Sequence, residues 1–146
     1  MKYSKDNYKK VVDEFTPKNK MLKNCIMAFI FGGAICVVGE IINDSFVAWL
    51  GISDNEASPM TSVVLIGISA LLTGLGWYDK LGKIGGAGTV VPITGFANSV
   101  VSPAMEYKRE GFVLGTAANT FKLAGPVLIF GYLASFIAGL LSMVFK

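Results

Sequence analysis

Hydrophobic and polar residues fall in long blocks along this chain, without the short periods of a soluble fold. Residues 25–42 form an apolar stretch of 18, broken only by Glu40 and preceded by Lys23. Residues 60–78 are an uncharged run of 19, and 123–145 form another block, of 23. About 20 helical residues, at roughly 1.5 Å each, cross the ~30 Å core of a bilayer, so each block predicts a membrane helix. Ahead of them Tyr8, Val11, Val12 and Phe15 recur at i, i+3, i+4 and i+7 among lysines and acids, until Thr16 and Pro17 stop the pattern. This spacing predicts a short amphipathic helix, either resting on anionic lipid or offering a docking face to a soluble partner.

Residues 84–105 are also uncharged, 22 in number, but their composition resists an unbroken helix. Gly85, Gly86, Gly88, Pro92 and Gly95 lower helix propensity and remove a backbone donor, which predicts a backbone break at Gly85, Gly86, Gly88 and Pro92. Open backbone inside hydrocarbon leaves polar groups unsatisfied, so it survives only when buried in protein or lining a wet cavity. Thr94 can cap a half-helix whose face would present Gly95, Asn98, Ser99, Ser102 and Glu106. A second half-helix, 112–122, aligns Gly115, Asn119 and Lys122, flanked by Thr116 and Thr120. The expected fold is an all-α integral membrane protein of about three to four transmembrane helices, with half-helices around a broken, glycine-rich segment. Whether 84–105 spans or re-enters is open at this level, and with it the side of the C-terminus.

Charge adds an orientation. Lys2, Lys5, Lys9, Lys10, Lys18, Lys20 and Lys23 outweigh Asp6, Asp13 and Glu14 in the tail, and Lys80 and Lys83 follow the second block. Residues 43–59 hold Asp44, Asp54 and Glu56 and no basic residue. The positive-inside rule then puts the N-terminus in the cytoplasm and the acidic loop opposite. Residues 1–23 read as a basic cytoplasmic tail with its amphipathic helix, and 24–146 as a single transmembrane domain.

Composition narrows the chemistry. With 53% hydrophobic and 16% charged residues and a mean hydropathy of +0.57, the chain lies far from the soluble balance of about 25% charged. Its net charge of +3 resides in the tail, without the basic and aromatic interleaving of a nucleic-acid surface. There is no histidine, so no ordinary general base and no Ser-His or Cys-His pair. Cys25 and Cys36, about 16 Å apart on one helix, read as packed small residues beyond disulfide reach. No enzyme, metal site or cofactor is expected.

Polar groups at membrane depth carry the functional reading, because intramembrane amide and charge are costly and commonly serve a pathway or a pair. Asn98, Asn119, Lys122, Thr94 and Glu40 are the pathway candidates; Glu40 could equally snorkel to the acidic loop. The two asparagines are read as amide donors and Lys122 as a positive charge facing an anionic solute, or pairing with Glu40 or Glu106. Gly131, Ser135 and Gly139, four residues apart, form a smooth face for helix packing.

The blocks FIFGGAICVVGE, GISALLTG, GGAG, VPITGFANS, EYKREGFVLG and FKLAG, spread over 24–131, resemble the SpoVAC family, stage V sporulation protein AC among the SpoVA membrane proteins of endospore-forming bacteria. The lysine-rich tail, GFANS and FKLAG favour the AC branch over AEb. The resemblance implies the forespore and spore inner membrane and a role in moving dipicolinic acid with calcium, inward in sporulation and outward in germination. It implies an oligomeric assembly with an AEb-type membrane subunit and an AD-type soluble subunit in the lipid bilayer, and a mechanosensitive channel activity has been attributed to the family. It carries over no catalytic or binding residue. A pore-lining subunit is the preferred reading, and a structural subunit that assembles the complex is its rival.

Overall fold

The computed structural model describes residues 8, 11, 12, 15 and 20–145. Helix α1 is Met21–Leu50, α2 Asp54–Gly74, α3 Tyr78–Gly85, α4 Ala87–Val90 and α5 Ile93–Glu106. A 3-10 turn, Tyr107–Glu110, leads to a π-helical stretch, Phe112–Ala117, which runs unbroken into α6, Ala118–Val144. Among the described residues three stretches are long and apolar enough to cross a membrane: Met21–Leu50, Asp54–Gly74 and Phe112–Val144. No strand occurs among the described residues, and the fold is that of an all-α integral membrane protein. In the tail Tyr8, Val11, Val12 and Phe15 are helical and exposed. The charges at Lys2, Lys5, Asp6, Lys9, Lys10, Asp13, Glu14 and Lys18 lie outside the described residues.

The acidic loop expected at 43–59 shrinks to three residues, because its acids belong to helix ends. Gly51 adopts a left-handed conformation (φ 63°) and returns its N–H to the Val47 carbonyl, closing α1. Ser53 then opens α2 with a capping box: the Glu56 carboxylate accepts from the Ser53 N–H at 3.2 Å and hydroxyl at 3.0 Å. Asp54 and Glu56 sit in the first turn, where the helix dipole favours anions. Asn43 ties the hairpin, donating to Asp54 Oδ1 (3.4 Å) and accepting from the Thr61 hydroxyl (3.3 Å).

Two contacts fix the course of the broken segment. The Ser69 hydroxyl donates to the Thr94 carbonyl oxygen at 2.5 Å, and one turn on Thr73 Oγ1 lies 2.9 Å from the Asn98 side-chain amide. Advancing four residues along α2 advances four along α5, so the two helices run parallel. The chain therefore leaves α2 at one end of the bundle, climbs back through α3 and α4 to the level of Ser69, and descends in α5 to the end it left. Relative to the bundle the course of residues 84–105 is re-entrant: it returns to the end it came from. Thr120 on α6 donates to the Val100 carbonyl at 3.4 Å, and the short 107–111 connection makes α6 antiparallel to α5.

The expected half-helix 112–122 is not separate. It is the beginning of one 33-residue helix, Phe112–Val144, because Lys122 interrupts the apolar run without interrupting the backbone. Gly131, Ser135 and Gly139 are exposed, and a Cβ built on either glycine meets nothing within 4 Å, so the smooth face packs on nothing within this chain. Every residue of 126–145 is exposed.

Burial is inverted relative to a soluble protein. Among the described residues, apart from Ala57, Tyr78, Ala97 and Ala124, the buried side chains are Thr61, Ser69, Thr89, Thr94 and Asn119, while residues such as Phe29 and Leu114 point outward. With lipid as solvent, apolar contact between helices gains little, and small residues and interhelical hydrogen bonds carry the packing.

Candidate functional site

The re-entrant turn is built by close backbone approach. α3 ends at Gly85, whose Cβ would meet the side chains of Thr89 and Phe31. Gly86 takes φ 50° and ψ −125°, a conformation open to glycine alone, and turns the chain into α4. Gly88 lies against the backbone of Ala28 in α1, and Gly32 faces it one turn later. Pro92 then stands extended (φ −62°, ψ 166°) as the residue ahead of α5.

Thr94 does not cap that helix. It lies inside the first turn and is buried, with its carbonyl taken by Ser69 and its hydroxyl 2.9 Å from the Tyr78 hydroxyl. Tyr78, 4% exposed, also donates to the Thr89 carbonyl oxygen at 2.6 Å. It thereby pins α3 to the two segments that flank Pro92. Tyr78 and Ser69 were missed from sequence, since a tyrosine ending an apolar run reads as an interfacial anchor and a serine within one carries no periodic signal.

Below this pin lies a cavity of about 730 Å³, open on one side, within the 300–1,000 Å³ range of small-molecule sites. Along α5 its wall is Gly95, Asn98, Ser99, Ser102 and Glu106, one helical face some 16 Å long. Asp79 and Lys83 of α3 and Asn119 and Lys122 of α6 complete it. Asn98, Asn119 and Lys122 are thus brought together. Thr94 sits beside the cavity, in the pin and not in the wall.

Glu40 is elsewhere. It borders a cleft of about 530 Å³ between α1 and α2, with Asn43 and Asp54. That cleft is at the Asp54 end of α2, whereas Asn98 is bound at Thr73, 19 residues or about 28 Å along the helix. Pairing of Glu40 with Lys122 is excluded by that separation. Among the described residues Glu106 and Lys122 share the cavity wall without an ion pair, and the one ion pair present is Lys83–Asp79 at 2.9 Å, both ends well exposed. The Lys122 ammonium instead lies 5.9 Å from the centre of the Tyr107 ring, a cation–π contact.

The asparagines differ from expectation in polarity. Asn119 donates its Nδ2 to the Gly115 carbonyl at 2.7 Å, at the end of the π-helical stretch, and so faces the rest of its surroundings with Oδ1. Thr73 Oγ1 lies 2.7 Å from the Ser69 carbonyl oxygen and 2.9 Å from the Asn98 side-chain amide; its single hydrogen goes to the carbonyl, which can only accept, so the Asn98 amide nitrogen donates to Thr73. Both asparagines are thus held through their amide nitrogens. Among the described residues no group of three or more Cys, Asp or Glu could hold a metal ion, and Cys25 and Cys36 are free and exposed.

Comparison with known proteins agrees with this membrane architecture. Residues 24–141 match the family model described as SpoVAC/SpoVAEB sporulation membrane protein. The chain is 46% identical over 142 residues to stage V sporulation protein AC of Bacillus subtilis (strain 168), covering 97% of this chain and 95% of that protein. No solved structure matches. The chain belongs to the SpoVAC/SpoVAEB family of sporulation membrane proteins.

Proposed function

We propose that this chain is a channel or transport subunit of the forespore and spore inner membrane that moves dipicolinic acid, with calcium, in sporulation and germination. The observation that carries the reading is the cavity beside the re-entrant turn, where Asn98, Asn119 and Lys122 converge at the end of the bundle. A re-entrant backbone turn beside a polar cavity is the arrangement from which transport sites are made. Lys122 and Lys83 supply the positive charge an anion needs. The chain has no histidine for proton chemistry, which fits passage and not catalysis.

A second reading, a structural subunit whose neighbour lines the rest of the path, is favoured by one observation. The cavity is confined to the end of the bundle where α5 and α6 join, and 126–145 of α6 stand exposed without a partner in the chain. Under either reading the partners are an AEb-type membrane subunit and an AD-type soluble subunit, in an oligomeric assembly.

The test is dipicolinate flux into liposomes holding the purified chain, alone and with the two partner subunits. Flux with the chain alone supports a pore-lining subunit. Flux that needs the AEb-type subunit and ignores substitution of Lys122 supports the assembly role.

A further inference from the structure

A second space adjoins the re-entrant turn, an apolar slot of about 330 Å³. Phe31, Ala34, Ile35 and Val38 line it from α1, and Leu65, Ile68, Ser69 and Leu72 from α2. Both sets fall at i, i+3, i+4 and i+7, so each is one helical face about 10 Å long, and the slot runs lengthwise between the two helices. Both helices are long and apolar enough to cross a membrane. Tyr78, Leu81, Thr89 and Thr94 complete the lining.

Four of these side chains carry hydroxyls, and every hydroxyl hydrogen is spent within the chain. Ser69 donates to the Thr94 carbonyl oxygen, Tyr78 to the Thr89 carbonyl oxygen and Thr89 to the Gly86 carbonyl oxygen. With the Tyr78 hydrogen so committed, the Thr94 hydroxyl, 2.9 Å away, donates to the Tyr78 oxygen. No side-chain donor is left for a polar solute or for water, which needs two or more polar partners. Left unfilled, the slot would forfeit dispersion contact along both helices. What fits is apolar, narrow and elongated; a helix, ~10 Å across with its side chains, is too wide to enter. Val38, Ile68 and Leu81 are partly exposed, so the slot opens on the outside of the bundle, where a membrane protein meets hydrocarbon.

We infer that this slot binds one lipid acyl chain, held lengthwise between α1 and α2. Tyr78 and Thr89 line both the slot and the polar cavity, so the lipid backs a wall of that cavity and supports the pin of the turn. The inference stands whether or not the polar cavity carries solute.

The test is photo-crosslinking of the full-length chain in liposomes of phosphatidylcholine with a diazirine in its acyl chain, the adducts being mapped by mass spectrometry. Lipid that merely surrounds the protein labels side chains according to exposure. Val37, Val63 and Leu71 are each at least 60% exposed, against 47% or less for Val38, Ile68 and Leu81. A resident chain reverses that order, and Val38, Ile68 and Leu81 take several-fold more adduct than the outward three. Ala34→Phe puts a ring into the slot from α1 and removes the excess at Val38 and Leu81; Ile68→Phe does the same from α2. Val37→Phe, which lies outside the slot, leaves it unchanged. Labelling that follows exposure in the unaltered chain overturns the inference without any variant. So does labelling of the outward positions alone, the result expected if a second copy of the chain covers the slot, or an excess that survives both phenylalanines.

Discussion

Replacing Gly88 by alanine adds one methyl group where α4 presses on α1. The new Cβ would run into the Ala28 carbonyl oxygen and stand 2.8 Å from both the Ala28 carbonyl carbon and its Cα, where ordinary contact begins at 3.4 Å. The obstacle is backbone inside a 30-residue helix, which cannot swing aside as a side chain would. α4 must therefore retreat, carrying the Thr89 carbonyl away from Tyr78 and the Thr94 carbonyl away from Ser69. Overpacking of this kind costs about 1–3 kcal/mol, and the backbone on both sides puts Gly88→Ala near the upper end. At roughly 3 °C per kcal/mol for a chain of this size, the melting midpoint falls by about 10 °C. The assay is the fraction remaining monodisperse by size-exclusion chromatography after heating in detergent. Gly131→Ala is the control: nothing lies within 4 Å of its Cβ, and helix propensity gains up to about 1 kcal/mol. A Gly88→Ala midpoint close to the original would refute the close approach of α4 to α1 and the turn built on it.

On a background without Cys25 and Cys36, cysteines at 80 and 108 should react with an impermeant reagent from one side of the membrane and those at 54 and 143 from the other; labelling of 108 together with 54 contradicts the re-entrant course. Tyr78→Phe keeps the ring and deletes the hydroxyl that answers Thr89, so it should cost on the order of 1–3 kcal/mol in the same melting assay; no change would show that the pin is not used. Lys122→Met should lower anion flux far more than stability, and a double-mutant cycle with Glu106→Gln should show little coupling, because no ion pair joins them. Restored flux in the double variant would move Lys122 from the path to the scaffold.

The break was legible because it is compositional: Gly86 and Pro92 can be recognised wherever the chain goes. The polar face of α5 was legible because Gly95, Asn98, Ser102 and Glu106 keep helical spacing. What escaped depends on pairing between segments. Spanning and re-entrant chains have the same composition, and only the register of Ser69 with Thr94 and Thr73 with Asn98 distinguishes them. The acids near residue 54 looked like a loop because a capping box places carboxylates where a sequence shows only polarity. The polarity of Asn119 is set by the Gly115 carbonyl at the end of a π-helical stretch, and an amide in a sequence does not say which end it will present.

The bonds that hold the re-entrant turn, from Ser69 to Thr94 and from Tyr78 to Thr89, join neutral hydroxyls to carbonyl oxygens, and the one ion pair among the described residues is the exposed Lys83–Asp79 pair at the cavity. Dissolved counter-ions screen charges and leave such neutral bonds nearly untouched. The turn should therefore keep its shape from dilute buffer to concentrated brine, so a change of flux with ionic strength would report the encounter of solute with Lys122 and Lys83, and not a change in the protein that surrounds them.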